Sequence, residues 1–282
     1  MSVSSRCRQK VISNSWCKGA HGLLLIALLS FKGKCFSRRF QSFGGAGRML
    51  QFFSYLINGI SLGSVYAIIA LGYSMVYGIA KMLNFAHGDV IMIGSYVVYF
   101  AFGASGLNPV LSIVLSMIVC TILGVVIERL AYRPLREAPS LAVLITAIGV
   151  SYLLQQVAQL SWSSNPKSFT SVVSGMKPVS LFGGQLTISA ETIVTIVACV
   201  VIMVVLMWFV NYTPAGHAML AVSEDRGAAQ LMGVNVNGTI SLTFAIGSAL
   251  AAIAGALLCS SYPTLQPTTG AMPGIKAFVA AV

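Results

Sequence analysis

The sequence predicts an all-α fold, a polytopic bundle of transmembrane helices. Of its 282 residues, 57% are apolar and only 8% are charged, whereas a soluble domain carries about 25% charged residues. Disordered chains are poor in apolar residues, so this composition does not describe one. An ordinary globular enzyme and a disordered chain are therefore both excluded, and a helical membrane protein remains.

Long runs with little or no charge predict the individual helices. Five of them reach the length at which a helix can cross a bilayer: residues 52–78, 110–127, 140–160, 188–210 and 240–260. A sixth run, residues 90–104, is too short for a confident span and is expected to be a short or re-entrant helix. Lipid requires every backbone N–H and C=O to be paired within the segment, so each run is predicted to be helical. Another apolar run begins at Gly274, and we expect the chain to be cut inside that helix.

Basic residues in short loops predict the orientation. With six crossings, loops 79–89, 128–139 and 211–239 lie on one side and together hold five basic residues. The opposite loop, residues 161–187, holds two. Cytoplasmic loops carry the excess of Lys and Arg, so the first side is predicted to be cytoplasmic.

The first 48 residues differ from the rest. They hold nine of the 17 Lys and Arg and no Asp or Glu, so the net charge of +11 belongs mostly to this extension. It is therefore not a sign of nucleic-acid binding. The extension resembles a signal peptide without its cleavage site, or an organellar transit peptide. The same orientation rule would place it outside the cell, which favours a third interpretation: translation begins at Met49, residues 1–48 are not native, and residues 49–282 form the membrane domain.

Small residues form ridges on two predicted helices, four residues apart on one face. They are Gly59, Gly63 and Ala67 in the first span, and Gly247, Ala251 and Gly255 in the last complete one. Such ridges allow helix backbones to approach closely in lipid. Either internal packing or a subunit interface would use them.

Two groups of polar residues lie at or within the predicted spans. The segment N-F-A-H-G-D, residues 84–89, is either an interfacial turn with Asp89 capping the next helix or an element of a gate. Residues at positions i, i+4 and i+8 of the fourth span form a polar line. This line serves helix–helix hydrogen bonding or faces a water-filled path. The candidates for a translocation path are Asn84, His87, Asp89, Ser151, Gln155 and Gln159.

No enzyme signature occurs: there is no phosphate-binding G-x-x-x-x-G-K-[ST], H-E-x-x-H or G-x-S-x-G. The three histidines lie far apart, so neither a metal site nor a resident cofactor is expected. An ion-coupled carrier usually has acidic or histidine residues within its spans, and here only Glu191 lies in one, near its edge. We therefore expect the energy for any uphill transport to come from another subunit.

The 211–239 loop offers a place where such a subunit could dock. Pro214 opens a helical stretch, residues 216–232 have helical spacing, and Gly233 ends it. An apolar face is expected from Ala218, Leu220, Ala221 and Met232. On residues alone, an ordinary interhelical loop remains an alternative. The candidate contact residues are Glu224, Asp225, Ala228, Ala229 and Gly233.

Five motifs occur in one order and carry a family resemblance. They are S-L-G-S-V-Y-A-I-I-A-L-G-Y-S-M-V-Y-G, N-F-A-H-G-D, L-I-T-A-I-G-V-S-Y-L-L-Q, G-H-A-M-L-A-V-S-E-D-R and L-M-G-V-N. Together they resemble the smaller permease subunit of bacterial ABC importers for branched-chain amino acids, from about residue 50 to 282. The A-A-x-x-x-G ending of the loop resembles the E-A-A loop of ABC permeases, with Gly227 in place of its Glu.

The resemblance implies a channel-forming subunit of the bacterial plasma (inner) membrane, not an enzyme. It would work in lipid with a second homologous permease, two cytoplasmic ATPases and an extracytoplasmic substrate-binding protein, and without nucleic acid. ATP would be used by the partner ATPases, with Ala228, Ala229 and Gly233 at their contact and Glu224 and Asp225 nearby. Leu, Ile and Val would be the cargo. Urea or short amides are an alternative cargo, and an ion-coupled amino-acid carrier and a passive membrane scaffold are alternatives from other classes.

Overall fold

A computed structural model describes residues 45–136, 138–169, 179–181 and 186–281. Within them the chain forms nine α-helices: α1 Gly45–Ala80, α2 His87–Val98, α3 Pro109–Ile127, α4 Ser140–Trp162, α5 Ala190–Tyr212, α6 Pro214–Glu224, α7 Arg226–Leu231, α8 Val236–Ser261 and α9 Ala271–Ala281. Four short strands are also formed: β1 Lys167–Ser168, β2 Val179–Leu181, β3 Leu186–Ile188 and β4 Thr264–Leu265. A π-helix, Tyr99–Ala104, continues α2, and a second, Glu128–Tyr132, continues α3 into a short 3₁₀ turn at Arg133–Leu135.

The all-α membrane bundle predicted from composition is confirmed. Five helices are long and apolar enough to cross a membrane, namely α1, α3, α4, α5 and α8. They correspond to the five long runs of the sequence. The strands lie in loops and form two short antiparallel ladders, β1 with β4 and β2 with β3.

Helix α8 occupies the centre of the bundle because its small residues admit close neighbours. In its most apolar stretch 72% of the residues are buried, against 11% in α5. A Cβ on Gly247 would lie 2.9 Å from Val76 Cγ2 of α1, and one on Gly255 would lie 2.5 Å from the Ile91 carbonyl of α2. The ridge on α8 therefore serves internal packing.

The sixth run forms the short helix α2 and its π-helical extension, separated from α1 by a non-helical segment. Helix α1 ends at Ala80, residues 81–86 are not helical, and α2 begins only at His87. The imidazole of His87 packs against Gly72, about two turns before the end of α1. Helix α2 therefore starts deep in the bundle. Together with its π-helical extension it runs away from the C-terminal end of α1, toward the other end of the bundle.

Contacts between loops define the two ends of the bundle. At one end, Arg136 donates to the Asn237 side chain, and Arg226 donates to the Ala80 carbonyl. This places the 128–139 and 211–239 loops beside the end of α1. Because the sequence analysis predicts these loops to be cytoplasmic, we label this end the cytoplasmic end. At the other end, the outer end, Lys167 pairs with Leu265 in the β1–β4 ladder.

The interpretation of residues 1–48 as a separate extension falls almost wholly outside the described residues, since helix α1 begins at Gly45. The last apolar run forms α9, a helix of 11 residues.

Candidate functional site

The non-helical segment 81–86 is held inside the bundle by hydrogen bonds to tyrosines. Lys81 adopts a positive φ of 53°, which ends α1 and turns the chain inward. The Asn84 backbone N–H donates to the Tyr73 hydroxyl at 3.2 Å, and the Tyr132 hydroxyl donates to Asn84 Oδ1 at 2.9 Å. Backbone without helical pairing is tolerated at membrane depth only where protein surrounds it. Asn84 therefore stabilises an irregular segment at the core of the molecule.

The polar side chains of the N-F-A-H-G-D motif are buried, and the predicted capping role of Asp89 is wrong. Asn84, His87 and Asp89 are 6%, 2% and 1% exposed. Asp89 is also not the cap of α2: that position is Ala86, which has no side chain able to cap. Asp89 instead lies in the first turn of the helix, where the helix dipole stabilises a negative charge.

Two of the three residues in the polar line of α4 meet this motif. The Gln155 Nε2 donates to Asp89 Oδ1 at 2.9 Å and lies 3.4 Å from the Ser151 hydroxyl. We call Asn84, His87, Asp89, Ser151 and Gln155 the central junction. Asp89 Oδ2 and His87 Nε2 have no hydrogen-bond partner among the described residues.

Gln159, the third member of that line, lies away from the central junction. It borders a separate depression at the outer end of α4.

Glycines let a second helix begin against the central junction, which the sequence analysis did not anticipate. A Cβ on Gly88 would lie 2.6 Å from the Gly270 carbonyl oxygen, and one on Gly274 would lie 2.8 Å from the Gly88 Cα. The N-termini of α2 and α9 therefore meet at Gly88, the residue before Asp89. The repeated glycines at 88, 270 and 274 were the only signal of this contact in the sequence.

The 211–239 loop contains two helices, where one was predicted. Pro214 opens α6 and Gly233, with φ of 85°, ends the segment as expected. The helix is interrupted at Asp225, whose extended backbone and side chain start α7. Its Oδ1 accepts from the N–H groups of Gly227 at 2.8 Å and Ala228 at 3.2 Å. A residue that caps a new helix breaks the previous one, because its own backbone is not helical.

The buried side chains of this loop are Met219, Val222 and Ala229. On the predicted apolar face, Ala218 and Leu220 are partly buried and Ala221 is exposed. Leu231 and Met232 are 90% and 85% exposed. We call residues 214–233 the coupling segment. Glu224, Asp225, Ala228 and Gly233 are exposed on it.

One contact joins the coupling segment to the core. The guanidinium of Arg226, the first residue of α7, donates to the carbonyl of Ala80, the last residue of α1. Ala80 directly precedes segment 81–86, which leads to the central junction. Burial, and secondarily the nearby Arg136, lowers the pKa of Arg226. The sequence analysis assigned Arg226 no role in this contact.

A buried ion pair at the cytoplasmic end was missed by the sequence analysis. Glu128 is fully buried and pairs with Arg136. Its second oxygen accepts from the Ser241 hydroxyl at 2.7 Å, and Arg136 also donates to Asn237. The network ties the end of α3 to the start of α8. Glu128 follows an uncharged run directly, which is typical of a solvated loop, so its burial could be found only from the fold.

Comparison with known proteins identifies the family. The family model described as branched-chain amino acid transport system / permease component matches residues 55–282. The high-affinity branched-chain amino acid transport system permease protein BraD of Pseudomonas aeruginosa is 42% identical over 82% of this chain and 78% of its own length. The corresponding protein LivH of Escherichia coli is 40% identical over 83% and 79%.

A more distant relative is the ribose import permease protein RbsC of Haemophilus influenzae, 27% identical over 82% of this chain and 69% of its own length. No solved structure matches. The helical bundle, its membrane-spanning helices and these matches agree with one another. The chain therefore belongs to the family of permease components of branched-chain amino acid transport systems.

Proposed function

We propose that this chain forms the translocation path for branched-chain amino acids in an ATP-driven importer, with ATP hydrolysis supplied by partner ATPases. The family is one of transport-system permeases, and the two relatives named for branched-chain amino acids are about 40% identical over four fifths of the chain. Leu, Ile and Val are therefore the expected cargo. The other expected partners are a second homologous permease and an extracytoplasmic substrate-binding protein.

The coupling segment is the proposed ATPase contact. Leu231 and Met232 are large apolar side chains exposed at the predicted cytoplasmic end, where no lipid would cover them. Exposed apolar side chains of this kind typically mark an interaction site. Ala228 lies beside them on the exposed face, and Gly233 supplies the turn back to the membrane. Ala229 is buried, so its role is to hold α7 against the bundle.

The observation that carries the proposal is the contact from Arg226 to the Ala80 carbonyl. When an ATPase moves α7, this contact transmits the displacement to the end of α1. Residues 81–86 follow directly, and their movement shifts Asn84, His87 and Asp89. Rigid elements that exchange between two packed arrangements are the usual basis of such switches.

The central junction is the proposed gate in the path. Polar and ionisable groups within a membrane bundle are costly and commonly mark a substrate pathway. Asp89, held at one oxygen by Gln155, keeps its other oxygen without a partner among the described residues. Two helix starts meet beside it through glycines. A small displacement of either helix would therefore change access along the path.

Uptake of labelled leucine tests the proposal. The chain is reconstituted with its partner subunits in proteoliposomes and assayed with an active and with a catalytically inactive ATPase. We expect ATP-dependent uptake in which unlabelled isoleucine and valine compete and urea does not. Competition by urea alone would refute the cargo, and uptake that persists with the inactive ATPase would refute the coupling.

A further inference from the structure

An open depression of about 770 Å³ lies at the outer end of the bundle, away from the central junction. Apolar side chains of Phe100, Leu160 and Trp162 form one part of its lining. Gln159, two serines and Lys167 form the other. An apolar surface beside a few polar groups is the usual composition of a site for a small molecule.

Aromatic rings hold the Lys167 side chain in the depression. Its ammonium lies 4.7 Å from the ring centroid of Phe100 and 5.5 Å from that of Tyr99. The third ring, Tyr96, lies 6.0 Å away and stacks on Trp162 at 4.5 Å. Cation–π contacts of this length orient an ammonium without neutralising its charge. The backbone of Lys167 is fixed as well, because β1 pairs with β4.

The outer end provides little negative charge to balance Lys167. Segments 99–109, 161–191 and 261–271 together contain two lysines and one acidic residue, Glu191 in the first turn of α5. Among the described residues, only Glu128 and Arg136 form an ion pair within 4 Å, and that pair lies at the cytoplasmic end. The depression therefore presents a positive charge that is available to an anionic group from outside.

We propose that this depression is a receiving subsite for the transported amino acid on the extracytoplasmic face. Lys167 pairs with the α-carboxylate, and Phe100 and Trp162 contact the aliphatic side chain. The side-chain oxygen of Gln159 accepts a hydrogen bond from the α-ammonium. This inference depends on the proposed function for its ligand, and it gives Gln159 a role separate from Ser151 and Gln155.

Ligand-observed NMR tests the subsite directly. The assembled transporter is placed in nanodiscs of phosphatidylcholine without binding protein, and saturation transfer to leucine and to leucinamide is measured. For Lys167→Gln we expect leucine binding to weaken about tenfold or more, the effect of losing a charged hydrogen bond. Leucinamide lacks the carboxylate, so its binding should not change. Lys167→Arg should retain leucine binding.

Lys276→Gln is the matched control, since the Lys276 ammonium also lies over a ring, 5.5 Å from the centroid of Tyr66. It should leave leucine binding at the wild-type level. ATPase activity of each variant reports whether the transporter has assembled. Unchanged leucine binding in assembled Lys167→Gln would overturn the proposal.

An anionic phospholipid is the competing ligand, because its phosphate, which no choline cation balances, would also pair with Lys167 at the membrane surface. The measurement is therefore repeated with added phosphatidylglycerol. If the leucine binding of Lys167→Gln differs from that of the wild type only in the anionic bilayer, Lys167 is a lipid site and the proposal is refuted. Wild-type transporter without ATP-driven leucine uptake would refute the proposed function. Normal uptake together with leucine binding that is insensitive to Lys167 would refute the subsite alone.

Discussion

Replacing Arg226 by Ala tests how motion of the coupling segment reaches the membrane. The change removes the charged hydrogen bond to the Ala80 carbonyl, and a hydrogen bond of this kind contributes about 1.5–3 kcal/mol. Arg226 is only half-buried, so the lower end of that range applies. Because about 1.4 kcal/mol corresponds to a factor of ten, we expect the amount of leucine imported per ATP hydrolysed to fall about tenfold.

The assay measures leucine uptake and ATP hydrolysis in the same proteoliposomes. We expect Arg226→Ala to retain most of its ATPase activity, since the docking face at Leu231 and Met232 is unaltered. Arg129→Ala is the matched control, because Arg129 is an exposed arginine at the same end. The coupling route would be refuted if Arg226→Ala imported as much leucine per ATP as Arg129→Ala. A parallel loss of uptake and ATPase activity would also refute it, because the leucine imported per ATP hydrolysed would then be unchanged.

Three further changes test the packing that surrounds the site, each followed by thermal unfolding of the purified transporter. Gly233→Ala should lower the free energy of unfolding by about 1–2 kcal/mol, because alanine is strained at the φ of 85°. The control Gly149→Ala, which has open space around it, should leave the free energy of unfolding unchanged. Equal effects of the two changes would contradict the reasoning. Arg136→Met should lower the free energy of unfolding by about 3–5 kcal/mol, because it leaves the buried Glu128 carboxylate without its partner. Adding Glu128→Met should restore part of the lost stability. If the double variant is no more stable than Arg136→Met, the ion pair is not the cause. Gly255→Ala should lower the free energy of unfolding by about 1–3 kcal/mol by overpacking α8 against α2. An unaltered melting temperature would contradict this prediction and show that α2 can move away from α8.

Most of the helical framework was predictable from local sequence. Uncharged runs of sufficient length identified the five long helices, because lipid leaves a backbone segment no alternative to internal pairing. The glycine ridge on α8 was also visible at a spacing of four residues. The ends of the coupling segment followed from Pro214 and Gly233, since both act through the backbone of their own position.

The errors occurred where a residue can serve two local purposes. Asp225 fits a helix interior in spacing, yet it caps α7 and breaks the segment. Asp89 could cap α2 from the motif alone, but Ala86 takes that position. Such choices depend on which backbone conformation the neighbouring helices allow, and a single segment carries no record of its neighbours.

The family motifs and the apolar runs determined that this protein is a helical permease. Tertiary structure alone decided that Asn84, His87 and Asp89 are buried and that Glu128 pairs inside the bundle. It also showed that the starts of α2 and α9 meet and that Arg226 contacts Ala80. Helix formation depends on residues a few positions apart, so it can be read along the chain. Burial and hydrogen bonding of polar side chains depend on groups tens to hundreds of residues away, which only the packed bundle brings together.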